Sequence, residues 1–334
     1  MIPIAVENNF DKDTLYVEMV TGTTCNYSCS YCFPGCNDGK YRWPSPEQTE
    51  IFKSHLSYIF NEYKKFGKKK FVLDFIGGEP TLWPGIGNFA KYFYENFDTK
   101  IVMETNASRT LRFWKDNAKY FGTINVSVHN EECDPDHIIE VLDYLYNEDI
   151  PVTANVLMDL KNWDRCVDIC EKLKAHPTPW LLRTKLVTDA GLMISYTAEQ
   201  LSYVKDQIKK YPSDEYIQKM RRASRINNKK DMIFTIFEDG TREEFNDVKW
   251  YEHGWQKTTG WLCNIGVDRL VIKANGNIEG SCKARNLFGR ESALNIYDSE
   301  LKNKITVDTI QPTICKQNVC ACKPELALTK RKNV

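Results

Sequence analysis

The chain has no surplus charge of either sign. Its 334 residues carry 45 Lys and Arg against 45 Asp and Glu, a formal net charge of zero. That removes any overall electrostatic pull toward nucleic acid, while leaving a local basic patch open. Long apolar runs are also missing. No stretch of eighteen apolar residues occurs, so no membrane-spanning helix is expected. The opening residues, MIPIAVENNFDKD, have neither a basic start nor an apolar stretch and do not read as a signal peptide. The expected location is the cytoplasm. There is no internal repeat and no low-complexity tract. Hydrophobic and charged fractions of 42% and 27% are those of a folded globular protein. The length favours two domains over one.

Cysteine, by contrast, is plentiful. Twelve cysteines without a secretion signal argue against a disulfide framework and for metal or cluster ligation. They are grouped. Cys25, Cys29, Cys32 and Cys36 lie near the start, and Cys263, Cys282, Cys315, Cys320 and Cys322 near the end. Cys166 and Cys170 share a helical stripe with Trp163, Val167 and Leu173, and are expected to be small buried hydrophobes.

From residue 14 to about 212, strand-like and helix-like patterns alternate. Strands are expected at 15–20, 71–76, 100–104, 124–128, 152–158 and 180–187. Helices are expected between them and after the last. Ser45-Pro46-Glu47-Gln48 is a capping-box start with proline at the first helical position. Six βα units require a parallel sheet with helices outside it. Periodicity alone does not separate an open sheet from a partial barrel. Function in such folds sits at the C-terminal ends of the strands. Residues 212–232 suit a linker or exposed helix. Two hairpin signals follow, at Ile233–Phe237 with Glu243–Val248, and at Leu270–Ala274 with Asn277–Ser281 around Asn275-Gly276.

The N-terminal cysteines stand as C-x3-C-x2-C within CNYSCSYC, immediately after the first strand of this series. Three thiolates on one loop suit a four-iron cluster with one iron left open. Cys36 extends the spacing to C-x3-C-x2-C-x3-C and keeps a four-cysteine zinc or cluster site in play. About forty residues on, the apolar run Phe71–Ile76 ends in Gly77-Gly78-Glu79-Pro80. This reads as a buried strand closed by a tight turn in which glycine permits close backbone approach.

Together the cysteine loop and the GGEP turn resemble the radical S-adenosylmethionine (SAM) enzymes. The resemblance implies a partial (β/α)6 TIM-like barrel over residues 1–212. It implies that Cys25, Cys29 and Cys32 ligate a 4Fe–4S cluster whose open iron is chelated by SAM, with Tyr31 as the aromatic of the family's cysteine loop. Gly77, Gly78, Glu79 and Pro80 would hold the SAM ammonium. Thr105 and Asn106, ending the third strand, would lie near the SAM ribose and carboxylate. Ser127 ends the fourth strand in Ser-Val-His-Asn, where relatives commonly show Ser-x-Asp-Gly. His129 replaces the acid and is a candidate for substrate contact or proton transfer, or a structural histidine. Arg183 and Lys185 alternate on the sixth strand and are candidates for substrate contact, or partners of interior carboxylates.

The C-terminal cysteines resemble the twitch form of the family's C-terminal extension, a shortened SPASM domain. Residues 213–334 would then form a linker and a small cysteine-rich α+β domain. Cys263, Cys282, Cys315, Cys320 and Cys322 would supply four ligands to an auxiliary 4Fe–4S cluster, with Cys315 the expected bystander. The family pattern C-x9–15-G-x4-C is met with five residues rather than four between Gly276 and Cys282. Four thiolates suit structural zinc equally well.

The resemblance implies reductive cleavage of SAM and hydrogen-atom abstraction from a small molecule, peptide or nucleotide, with flavodoxin or ferredoxin as electron donor. The substrate is not fixed by the sequence. The absence of an N-terminal leader-gripping domain weakens the peptide reading. Modification of a nucleotide, nucleic-acid base or cofactor precursor is the alternative. An electron-transfer or sensor protein is the non-enzyme alternative, and it has no need of GGEP.

Overall fold

A computed structural model describes residues 1–9, 12–189, 192–193, 195–209, 233–280, 294–320 and 327–333. Residues 212–232 therefore lie outside the described residues, as do Cys282 and Cys322.

The alternating segment forms as its pattern requires. After β1 (Pro3–Asn8) come β2 (Thr14–Val20), α1 (Pro46–Phe66), β3 (Lys70–Ile76), α2 (Ile86–Asn96), β4 (Thr99–Thr105) and α3 (Leu111–Asn117). Then follow β5 (Thr123–Val128), α4 (Pro135–Asn147), β6 (Val152–Met158), α5 (Trp163–Ala175), β7 (Leu181–Leu186) and α6 (Ala198–Lys209). Ser45 starts α1 with both bonds of the capping box, its side chain accepting from the Gln48 amide and the Gln48 side chain accepting from its own. The strands β2 to β7 pair in chain order and in parallel.

Alternation along each strand sets two faces. Leu15, Val17, Met19, Phe71, Leu73, Phe75, Ile101 and Met103 are essentially inaccessible and pack with the inner faces of the helices in one large core. Cys166 and Cys170 are fully buried in that core, as their helical spacing required. The opposite face carries Glu18, Asp74, Glu104, Asn125, Asn155, Arg183 and Lys185, a polar interior face.

The remainder of the chain does not stand apart from this sheet. A two-residue hairpin, β8 (Thr188–Asp189) and β9 (Leu192–Met193), precedes β10 (Ile233–Phe237), β11 (Arg242–Glu244), β12 (Leu262–Cys263), β13 (Arg269–Ile272) and β14 (Asn277–Glu279). Then come β15 (Leu294–Asn295), β16 (Thr313–Ile314) and β17 (Lys330–Arg331). β13 pairs in parallel with β2, so the large sheet runs β15-β14-β13-β2-β3-β4-β5-β6-β7. In return β1 enters an antiparallel sheet of order β11-β10-β1-β17-β12-β16. Both expected hairpins form. The second strand of the first is shorter than the pattern suggested, because Asn246 caps a helix over Asp247–Glu252 instead of extending the strand. Buried Lys68, in the turn between α1 and β3, fastens that turn to the distal segment by a 2.5 Å ion pair with Asp268. The His55 ring meets the Ile296 carbonyl at 2.6 Å, and Glu62 accepts the Val307 amide at 2.8 Å.

Candidate functional site

The cysteine loop leaves β2 and stays bonded to the turn that ends β3. The Gly78 amide donates to the Gly22 carbonyl and the Glu79 amide to the Thr24 carbonyl, each at 2.9 Å. This is where the glycines are spent. Gly77 has φ +138°, and a Cβ there would stand 2.5 Å from the Gly22 oxygen. A Cβ on Gly78 would stand 2.2 Å from the Thr24 oxygen. Only a backbone without side chains admits the cysteine loop so closely.

Glu79 is 3% exposed. Its Oε1 accepts from the Thr81 amide (2.9 Å), the Thr81 hydroxyl (2.5 Å) and the Thr105 hydroxyl (2.8 Å), and its Oε2 from the Asn106 amide (2.7 Å). Burial pushes this carboxyl up, and the hydrogen bonds pull it down. In this arrangement Glu79 ties the GGEP turn to the end of β4. Asn106 reaches on to the cysteine loop, its Nδ2 donating to the Asn26 Oδ1 at 3.1 Å and lying 3.8 Å from the Cys25 sulfur. The buried Ala107 takes a left-handed backbone, φ 54°. The His137 Nε2 meets the carbonyls of Ala107 and Arg109 at 3.2 and 3.0 Å, holding that bend.

The loop after β5 closes the other side. Tyr31 stacks on His129, ring centroids 5.9 Å apart, with its hydroxyl 3.2 Å from Nδ1. Tyr27 meets the same ring edge-on at 6.0 Å. Burial pushes His129 down to about 4, so it is neutral near pH 7. Glu132 accepts the Ser28 amide at 3.1 Å. Glu131 accepts both the amide and the hydroxyl of Ser30 at 2.6 Å. Sequence reasoning missed these two acids and His137. Nothing in Glu131-Glu132 marks them apart from a solvated pair until the two loops are seen together.

Thus the fold gathers Cys25, Cys29, Cys32, Tyr31, Gly77, Gly78, Glu79, Pro80, Thr105, Asn106 and His129 at one end of the parallel strands. Ser127 lies on the interior face of β5, two residues before His129. Arg183 and Lys185 are exposed on β7, opposite in alternation to buried Thr184. Lys185 acts electrostatically on Glu104. Among the described residues, Arg183 has no hydrogen bond or ion pair.

The donor set fits a cluster. Burial raises the thiols of Cys25 and Cys32 and brings Cys29 up to about 12. The nearby carboxylates of Glu131 and Glu132 add to the effect on Cys29. Without a metal these thiols hold their protons, and binding a soft metal would release them. The Cys25 sulfur already receives the Tyr27 amide at 3.3 Å, the kind of N–H···S contact that supports a bound thiolate. Cys36 is close enough to act on Cys32, so the four-cysteine alternative stays open. Among the described residues no three His, Cys, Asp or Glu side chains are already gathered tightly enough for a single metal ion.

A second constellation lies in the antiparallel sheet. Cys263 on β12 is 8% exposed and faces Lys330 on β17 across the pair. Cys315 follows β16, its amide donating to the Trp261 carbonyl at 2.8 Å. Cys320 packs at the edge of a small core of Val6, Trp250 and Trp261.

Comparison with known proteins gives a class first. The fold is similar to a solved structure described as native anSMEcpe with bound AdoMet, with a TM-score of 0.50, 14% identity, and coverage of 89% of this chain and 83% of that one. In sequence the chain resembles a GTP 3′,8-cyclase of Actinobacillus pleuropneumoniae serotype 7 (strain AP76), 26% identical over 208 residues. That match covers 60% of this chain and 52% of the relative. A GTP 3′,8-cyclase of Psychromonas ingrahamii is 27% identical over 136 residues, 40% of this chain and 38% of that protein. The matched region thus spans about half, or less, of the length of these curated relatives. No protein-family model matches the chain. These likenesses support the radical SAM superfamily, and an enzyme, as the class to which the cysteine loop and the α/β fold point. No helix among the described residues is long and apolar enough to cross a membrane.

Proposed function

We propose that the chain is a radical SAM enzyme whose first site is the cysteine loop. One observation carries this. The backbone bonds from Gly78 and Glu79 to Gly22 and Thr24 lock the three-thiol loop against the GGEP turn, so the candidate ligands and a polar corner share one place. Cys25, Cys29 and Cys32 would hold a 4Fe–4S cluster, and SAM would complete it at the open iron. When bound, that pair supplies a 5′-deoxyadenosyl radical able to take a hydrogen atom from an unreactive carbon. The chain's own residues position and shield. Glu79 and Asn106 shape the corner for the SAM amino and carboxylate groups, Thr105 and Ser127 line the adenosyl side, and Tyr31 and His129 cover the cysteine loop. The interior face, read as that of a partial (β/α)6 barrel, receives the substrate. Flavodoxin or ferredoxin would supply the electron, and a C-terminal auxiliary cluster would accept one from the substrate or orient it.

The test is direct. Replace Cys25, Cys29 and Cys32 together by Ala, reconstitute with iron and sulfide, then add dithionite and SAM. The parent should form 5′-deoxyadenosine and the variant none. Continued formation in the variant would sink the assignment. If Cys36→Ala also loses both its cluster and the product, a four-cysteine site is the better description.

A second reading concerns the substrate. The curated relatives are named as GTP cyclases, and the interior face exposes two cations on one strand, Arg183 and Lys185. Both favour a nucleotide, whose phosphates would meet Arg183. Deuterium transfer from labelled GTP into 5′-deoxyadenosine checks this. No transfer, with SAM cleavage intact, would turn the search to peptides and other small molecules.

A further inference from the structure

The two acids that follow β5 meet the cysteine loop on either side of one thiol. Glu132 accepts the Ser28 amide at 3.1 Å, and Glu131 accepts the Ser30 amide and hydroxyl, both at 2.6 Å. Ser28 and Ser30 flank the buried Cys29. The other two thiols are served differently. The Cys25 sulfur receives the Tyr27 amide at 3.3 Å and has the Asn106 Nδ2 at 3.8 Å. The Cys32 amide donates to the Cys29 carbonyl at 3.1 Å. The two backbone donors adjacent to Cys29 are therefore committed to carboxylates and turned away from sulfur.

Two physical effects follow, and they share a sign. Hydrogen bonds to sulfur and nearby charge are among the levers that set a cluster's reduction potential. An N–H donor stabilises sulfur more as the sulfur becomes more negative, so donors given to sulfur favour the reduced form. Donors given to carboxylates forgo that. The carboxylates are themselves anions, and their field is already felt at the thiols. Burial, then Glu131, with Glu132 acting in the same direction, raises Cys29, and Glu79 acts likewise on Cys25. Lys273 acts instead on Cys36, outside the three-thiol set. Reduction adds one negative charge, which neighbouring anions oppose. Glu132 is exposed and Glu131 half-buried, so salt screens part of the effect. An electron held at low potential passes more readily to a sulfonium, whose carbon–sulfur bond must accept it.

We propose that Glu131 and Glu132 are positioning residues that hold the reduction potential of the first site down, by fixing the Ser28 and Ser30 amides away from the ligand sulfurs and by setting two negative charges beside Cys29. The proposal rests on the radical SAM reading of that site. A purely structural clamp needs only acceptor oxygens, whereas this role also needs charge. Gln keeps an acceptor oxygen without the charge, and Asp keeps the charge on a shorter arm, so the two substitutions separate the roles.

The test uses the full chain, reconstituted with iron and sulfide without oxygen. Iron content is measured, and the midpoint potential is read by electron paramagnetic resonance. The signal followed is the one that changes on adding SAM, which marks the cluster with an open iron. The paired variant Glu131→Gln, Glu132→Gln should keep its iron and move the potential to more positive values. Fully reduced with excess dithionite, it should form 5′-deoxyadenosine more slowly than the parent. Glu131→Asp with Glu132→Asp should recover most of the shift. Glu50→Gln, on the exposed side of α1, should leave the potential unmoved. Should the paired Gln variant lose its iron, Glu132→Gln alone, which alters a single amide contact, gives the same comparison. An unchanged potential with iron retained overturns the role of the two acids. A shift in the Asp pair as large as in the Gln pair also overturns it, since charge would not be the cause. If the parent shows no signal that responds to SAM, the radical SAM reading itself fails, and that is seen before any variant is compared.

Discussion

Glu79 shows how a single side chain sets the shape of the site. Four donors converge on a carboxylate that is almost wholly buried, and each buried donor left without an acceptor costs about 1–3 kcal/mol. Glu79→Ala is expected to cost about 3 kcal/mol or more of stability. It should also weaken SAM binding roughly tenfold to a hundredfold, with iron content nearly intact. Denaturant unfolding and SAM titration check both, and unchanged stability would refute the bracing role of Glu79. Arg183 is the opposite case. It is exposed and carries no described bond, so Arg183→Ala should leave stability within about 0.5 kcal/mol of the parent. SAM cleavage without substrate should also be unchanged, while turnover of the true substrate falls. A cooperative loss of stability in that variant would instead make Arg183 a structural partner.

Among the elements, the turn after β3 is the least forgiving. Gly78→Ala would drive a methyl group into the Thr24 carbonyl, and either the cysteine loop or the turn must move. Reconstituted Gly78→Ala protein is expected to hold less iron at the first site than the parent, and an equal iron content would count against the interlock. The interior face of the sheet makes a different demand. Asp74 on β3 has an oxygen with no partner, and burial, then Glu104 and Glu18, push its carboxyl up to about 7 from the ordinary 3.8. A carboxyl raised on folding binds protons more tightly in the folded chain, so stability falls as pH rises from about 4 through 7. Asp74→Asn removes that loss. The variant should be more stable than the parent above pH 7, by about 2–4 kcal/mol, with the gain vanishing near pH 4. Thermal unfolding across pH 4–8 checks the sign.

These elements also show how far the sequence could be read. Ser45-Pro46-Glu47-Gln48 declared a helix start because the capping bonds are local, and the strands β2 to β7 declared themselves as strand-length apolar segments set between helical patterns. The GGEP turn was legible for the same reason, since a strand must end where glycines break it. The parallel pairing of β13 with β2 was not legible, because two short strands about 250 residues apart meet by contacts that leave no local trace. Glu131, Glu132 and Lys330 escaped likewise. An acid or a lysine beside a strand reads as solvated until tertiary packing puts a backbone amide or a sulfur against it.

At the scale of the whole molecule, the two ends of the chain trade strands. β13 continues the sheet that starts at β2, and β1 is embedded in the sheet built by the distal segment. Leu270, Ile272, Ile278 and Leu294 are part of the same core as Leu15 and Phe71. Residues 1–212 made alone would expose that core and an unpaired β2 edge, a template for aggregation. They are expected to be insoluble or to unfold without cooperativity, whereas a self-sufficient N-terminal domain would give a sharp transition.

The grip of Glu131 and Glu132 on the amides of Ser28 and Ser30 has a consequence in time rather than in space. On the proposed function, the loop that would hold the cluster is already folded, its amides engaged by carboxylates that follow β5. The conformational entropy of ordering it is therefore lost during translation and folding, not when iron and sulfide arrive. Maturation of the proposed site would then be a delivery to a loop whose backbone is already placed, the thiols alone closing in, with polypeptide first and mineral last.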